Sequence, residues 1–134
     1  MAESQDYEPM LEMQVVAVVG CSPDPAKPSC RVASYLMEAG YRVIPVNPKF
    51  EEILGERCYP DLRAIPEPVE VVDIFRKADQ VLGVVQEAIA IKAKGVWIQD
   101  GIQAPEAARL AREHGLKVVV DDCIMRQHLS RFGR

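Results

Sequence analysis

Val15-Val16-Ala17-Val18-Val19-Gly20-Cys21-Ser22 is a β-branched apolar run that stops abruptly at glycine, cysteine and serine. Apolar residues with no polar alternation describe a strand buried on both faces, as in the centre of a parallel sheet covered by helices above and below. Gly20 lets the chain turn tightly there and approach a ligand closely. Doubly wound sheets bind ligands outside the carboxyl ends of the strands, where strand order reverses. Gly20, Cys21 and Ser22 are therefore the first candidate binding residues.

Working outward, Pro23-Asp24-Pro25-Ala26-Lys27-Pro28 is a stiff loop, since each proline removes a donor and restricts its neighbour. Ser29 is the expected N-cap of a helix whose apolar face is Val32, Tyr35, Leu36 and Ala39, stopped at Gly40. Tyr41 to Val46 reads as a second strand, ended by Asn47-Pro48. Phe50 to Pro68 reads as a connector with a turn at Leu54-Gly55 and one helical turn seated by Leu62 and Ile65. Val69 to Phe75, Val96 to Gln99 and Lys117 to Val120 are three further strands, with helices over Asp79 to Ala93 and from Pro105 to Gly115 between them. Asp122 to Phe132 is expected as a terminal helix capped by an aspartate. Residues 1–14 read as an arm or short helix, and residues 15–134 as one domain. The alternation predicts an α/β fold: a Rossmann-like, doubly wound, five-stranded parallel sheet in three αβα layers, with the expected order 3-2-1-4-5.

The 134 residues are 49% hydrophobic, enough for one core without disulfide or metal staples. A net charge of −4, with basic residues spread along the chain, argues against a nucleic-acid partner. No apolar stretch nears the ~20 residues that span a bilayer, so no membrane role and a cytoplasmic location are expected. Cys21, Cys30, Cys58 and Cys123 contain no CxxC pair and read as free thiols. Cys21 and Cys30 flank the first loop and are the candidates for a mixed disulfide with a ligand thiol. Trp97 reads as core. Asp121-Asp122 reads as a strand exit and a cap, so no metal site is expected.

Side by side, the strand ends give Gly20-Cys21-Ser22, Asn47-Pro48-Lys49, Phe75-Arg76-Lys77 and Gln99-Asp100-Gly101. Ser29 and Arg31 add a hydroxyl and a guanidinium at the start of the first helix, a combination suited to phosphate. The GxGxxG fingerprint is absent, and Asn47-Pro48-Lys49 stands where NAD enzymes carry an acid for the ribose hydroxyls. A neutral amide and a cation tolerate extra phosphate near the ribose, as coenzyme A and NADP both carry.

Val-Val-Gly-Cys-Ser-Pro, Pro-Ser-Cys-Arg-Val-Ala, Ile-Pro-Val-Asn-Pro-Lys, Val-Asp-Ile-Phe-Arg and Val-Trp-Ile-Gln-Asp-Gly-Ile, in that order, closely resemble the stand-alone CoA-binding proteins. Those are small Rossmann-fold proteins similar to the CoA-binding domain of the succinyl-CoA synthetase alpha subunit. The resemblance runs from about Val15 to His128 and implies coenzyme A as ligand. It implies CoA phosphates near Gly20, Ser22, Ser29 and Arg31, and the adenosine end near Asn47, Pro48 and Lys49. Phe75, Arg76, Gln99 and Gly101 would flank the pantetheine arm or the pyrophosphate. The synthetase's ATP-grasp partner domain and phosphorylated histidine have no counterpart, since His114 and His128 are expected outside the crevice. The expectation is a protein that holds CoA or an acyl-CoA, non-catalytic alone and able to serve a protein partner. The alternative is an NADP-dependent or acyl-CoA-processing enzyme that uses Asp100, His128 or a second subunit.

Overall fold

The computed structural model describes residues 5–133. Chain order is α1 (Tyr7–Leu11), β1 (Val15–Val19), α2 (Pro28–Glu38), β2 (Arg42–Val46), β3 (Glu52–Ile53), β4 (Glu56–Arg57), a 3-10 turn (Leu62–Ala64), β5 (Val71–Ile74), α3 (Ala78–Ala90), β6 (Gly95–Ile98), α4 (Pro105–Glu113), β7 (Lys117–Val120) and α5 (Ile124–Phe132). Five strands form one parallel sheet ordered β2-β1-β5-β6-β7. Successive residues of a strand point to opposite faces, and β1 divides its apolar run accordingly. Ala17 and Val19 join the core beneath α3 and α4, with Val81, Val85, Ala88, Ala107 and Ala111. Val16 and Val18 join the core beneath α2 and α5, with Val32, Leu36 and Ile124. This is the expected three-layer, Rossmann-like α/β architecture.

The strand order differs from the expected one. Counting only the strands of the large sheet, it is 2-1-3-4-5, because β5 pairs with β1 rather than with β2. The outer edge of β2 is already occupied. The Asn47 amide donates to the Tyr59 carbonyl at 2.9 Å, and the Tyr59 amide donates to the Pro45 carbonyl at 3.1 Å. The turn predicted at Leu54-Gly55 closes an antiparallel hairpin, β3 with β4, that leads into this contact. Proline within a strand belongs at a sheet edge, where its missing N–H costs no ladder bond. Pro45 faces that edge, and the third strand has to add on the far side of β1.

Two caps also differ. Helix α2 begins at Pro28 with Lys27 as N-cap, leaving Ser29 inside the first turn. Proline suits that first position because its absent N–H would have had no partner. Helix α5 is capped by Cys123 rather than by an aspartate, and no side-chain capping bond is made. The expected short helix near the N-terminus is α1, while residues 1–4 of the predicted arm and residue 134 lie outside the described residues. Gln5 and Asp6 run along β7. The Gln5 side chain exchanges two bonds with Val120 at 2.7 and 2.9 Å, and Asp6 does the same with Val118 through its amide and carboxylate, at 3.2 and 2.9 Å. They cover an edge that would otherwise offer bare N–H and C=O groups. Among the described residues no helix is long and apolar enough to cross a membrane.

Candidate functional site

Strand order reverses between β1 and β5. From their carboxyl ends the chain leaves for opposite faces of the sheet, which opens a crevice between them. Gly20 has φ +83°, and a Cβ placed on it would lie 2.1 Å from the Phe75 carbonyl oxygen. Only glycine fits, since any side chain would collide with backbone and adopt a left-handed conformation as well. The Gly20 amide donates to the Val46 carbonyl at 2.9 Å, and Asn47 Nδ2 donates to the Cys21 carbonyl at 2.8 Å. Three strand ends are thereby tied together around Gly20.

The loop after β1 is braced by its own side chains. Ser22 N donates to Ser29 Oγ at 3.0 Å, Asp24 N to Ser22 Oγ at 3.0 Å, and Ala26 N to Asp24 Oδ1 at 2.9 Å. Arg31 Nη1 donates to the Ala26 carbonyl at 2.8 Å. Among the described residues no carboxylate pairs with Arg31, so its remaining donors and its charge are available to an anion.

A cleft of about 390 Å³ runs from Arg31 across the ends of β5 and β6 to α5. Val32, Phe75, Ile102 and Met125 make its apolar walls, and Asp100 and Arg126 its far rim. Arg126 grips both oxygens of Asp100 at 2.9 and 3.0 Å and reaches Asp122 at 2.6 Å. Gln99, 4% exposed, also lines the cleft. Its Oε1 accepts from the Ile124 amide at 3.3 Å, while its Nε2 has no protein acceptor among the described residues.

Of the residues singled out in the sequence, Arg31, Phe75 and Gln99 line this cleft. Gly20, Cys21, Ser22, Ser29 and Asn47 form the bonded backbone shelf beside it. Pro48 and Lys49 are exposed past the β2 end, beyond the cleft lining, and half-buried Arg76 also falls outside it. Gly101 is held by its amide, which donates to Asp121 Oδ1 at 2.8 Å. Asp122 accepts from Tyr7, the Cys123 amide, Gln127 and Arg126, so both carboxylates serve protein donors. Burial opposes ionisation of Asp122, yet these bonds outweigh it and hold the carboxyl below its usual range.

Val32, Ile102, Cys123, Met125 and Arg126 were not singled out as site residues. Grouping the strand ends stopped at the fourth, and extending the same rule to the fifth strand reaches Cys123 and the start of α5. The two cysteines named as candidates for a mixed disulfide are placed otherwise. Cys21 is fully buried and burial pushes its thiol up to about 12. Cys30 is buried on the face of α2 that carries Ser34 and Glu38, turned away from Val32. His114, at the C-cap of α4, sits beside Lys117 at the start of β7. His128 packs on Tyr35, Tyr41 and Phe132, near Gln14 and Gly40. Both histidines thus lie at the amino ends of the strands, away from the crevice.

Similarity to other proteins concentrates on this same body. A protein of Bacillus subtilis, YneT, itself described as uncharacterized, is 37% identical over 113 residues, 84% of each chain. A solved structure from Pyrococcus horikoshii, described as a hypothetical protein, superposes with a TM-score of 0.90 at 40% identity and covers 97% of this chain and 98% of that one. The ADP-forming acetate–CoA ligase I of Archaeoglobus fulgidus is 34% identical over 121 residues, 83% of this chain but 18% of the ligase. The signature described as the CoA binding domain matches residues 14–128, from the residue before β1 to the middle of α5, and the chain belongs to that family.

Proposed function

We propose that this chain binds coenzyme A across the carboxyl ends of β1, β5 and β6, holding CoA or a thioester of it without transforming it alone. The observation that carries this reading is the pairing of a position that only glycine can fill with a cation that no carboxylate among the described residues neutralises. Gly20 brings the β1 exit against Phe75, and Arg31 stands at the mouth of the adjoining cleft. Phosphate needs a close backbone and an unpaired guanidinium. The apolar walls at Val32, Phe75, Ile102 and Met125 suit the aliphatic stretches of a pantetheine arm, and the free Gln99 amide suits one of its carbonyls. Asn47, with Pro48 and Lys49 exposed beyond it, suits the phosphorylated ribose end.

The matched region is a small part of the ligase relative. Thioester chemistry in this protein's pathway is accordingly assigned to a partner protein that receives CoA or acyl-CoA from the site. Titration calorimetry with CoA, NAD, NADP and ATP tests the ligand, and an Arg31→Ala variant tests the place. CoA is expected to bind in preference to the others, and the variant to bind it roughly tenfold more weakly, about 1.5 kcal/mol for a charge-assisted contact. Preference for NADP, or equal CoA affinity in the variant, would contradict the reading.

A further inference from the structure

All four cysteines are unpaired and buried, yet they face different surroundings. Cys21 lies closed beneath the β1 exit, and Cys58 directs its Sγ to the Asn47 carbonyl at 3.4 Å. Cys30 borders a depression with Pro25, Tyr35 and Leu54, on the opposite face of α2 from Val32. Cys123 is the cysteine that lines the cleft, at the N-cap of the nine-residue helix α5.

We infer that Cys123 is a thiol–disulfide exchange site for coenzyme A disulfide, the cleft guiding a pantetheine sulfur onto Cys123 Sγ. The inference rests on the CoA reading above. A second observation points to a ligand independently of the thiol: Gln99, 4% exposed, lines the same cleft, and its Nε2 has no acceptor among the described residues. An amide carbonyl entering the cleft would accept from that donor. A pantetheine arm carries two such carbonyls upstream of its sulfur. The apolar walls of the cleft suit the ethylene segment that joins the last amide to that sulfur.

The exchange balances without an outside oxidant. Cys123 loses its proton to solvent and its thiolate attacks one sulfur of the CoA disulfide. A new S–S bond joins Cys123 to one CoA, the original S–S bond breaks, and the second CoA leaves as a thiolate that takes a proton from water. Attack by a second thiol reverses the step. The occupant is thus retained covalently when the CoA pool is oxidised and released when it is reduced.

The test treats the whole protein with CoA disulfide and, separately, with glutathione disulfide, followed by intact mass and peptide mapping. Binding of reduced CoA is measured by calorimetry in reducing buffer for the same protein and a Cys123→Ser variant. The expected result is one adduct, of the mass of CoA less two hydrogen atoms, on the peptide holding Cys123. It forms at least about tenfold faster than the glutathione adduct, because the cleft raises the local concentration of the sulfur. The variant loses the adduct; peptide mapping of the unmodified sequence decides the case even should the variant fail to fold. Reduced CoA that binds while Cys123 stays unmodified, an adduct on Cys21 or Cys30 instead, or equal rates with both disulfides would overturn the exchange site and leave the CoA reading standing. No binding of CoA at all would remove both.

Discussion

Asp73 lies at the centre of the sheet, level with Val18 on β1 and Trp97 on β6. It is fully buried, and neither carboxylate oxygen has a hydrogen-bond partner among the described residues. Burial therefore holds its carboxyl well above the usual range, in the protonated state. An acid whose folded pKa exceeds its unfolded value binds its proton more tightly when folded. The chain then loses stability as pH rises from the unfolded carboxyl value, about pH 4, toward the folded one. Asp73→Asn keeps the shape and removes that dependence. The variant should match the original near pH 4 and exceed it at neutral and higher pH, by on the order of 1–3 kcal/mol. Chemical denaturation across pH measures the difference, and parallel curves for the two proteins would show that Asp73 finds a partner in solution. Its position on the α2 side of the sheet, level with Val18 and Trp97, makes it part of the floor under the β1 exit.

At the scale of elements, the hairpin β3–β4 decides the topology by closing the edge of β2. Its two loop residues, Leu54 and Gly55, have φ +55° and +79°, the left-handed pair of a type I′ turn. Glycine takes this conformation freely, whereas a leucine there, 40% exposed, is strained and buries little in return. Leu54→Asn is expected to stabilise the protein by roughly 1 kcal/mol, read as a higher denaturant midpoint with an unchanged slope; a lower midpoint would mean that the leucine packs more than its exposure indicates. The turn was legible in the sequence, and so were all five strands of the sheet, because apolar runs between glycine and proline breaks have few other readings. The order was not, although its signal was present. Pro45 inside the second strand marks an edge, and an edge strand cannot stand second of five with a third strand outside it. Cap positions were less legible: Ser29 is an apt N-cap by type, but Pro28 starts the helix and Ser29 Oγ is drawn to the Ser22 amide instead.

Across the whole molecule, the parts of the candidate site that were legible are those given by one rule, that ligands meet the carboxyl ends of parallel strands. Gly20, Phe75 and Gln99 follow from it directly, and Arg31 follows from its place in the first turn of α2. Val32 and Met125 were not legible, because an apolar residue that walls a cleft has the same helical spacing as one that fills a core. Cys123 and Arg126 depend on how α5 folds back past the end of β6, which Trp97 Nε1, donating to the Asp122 carbonyl at 3.0 Å, and the Arg126–Asp100 pair help to fix. Such long-range contacts leave no local pattern. We propose that one continuous surface, from the braced loop at Ser22 through Arg31 to the cleft at Gln99 and Cys123, takes coenzyme A. A crystal structure of the protein grown with CoA is the decisive measurement. The phosphates are predicted beside Gly20, Ser22 and Arg31, with the pantetheine arm between Phe75 and Met125 and its sulfur near Cys123. CoA lodged instead at the amino ends of the strands, beside Tyr41 and His128, would contradict it.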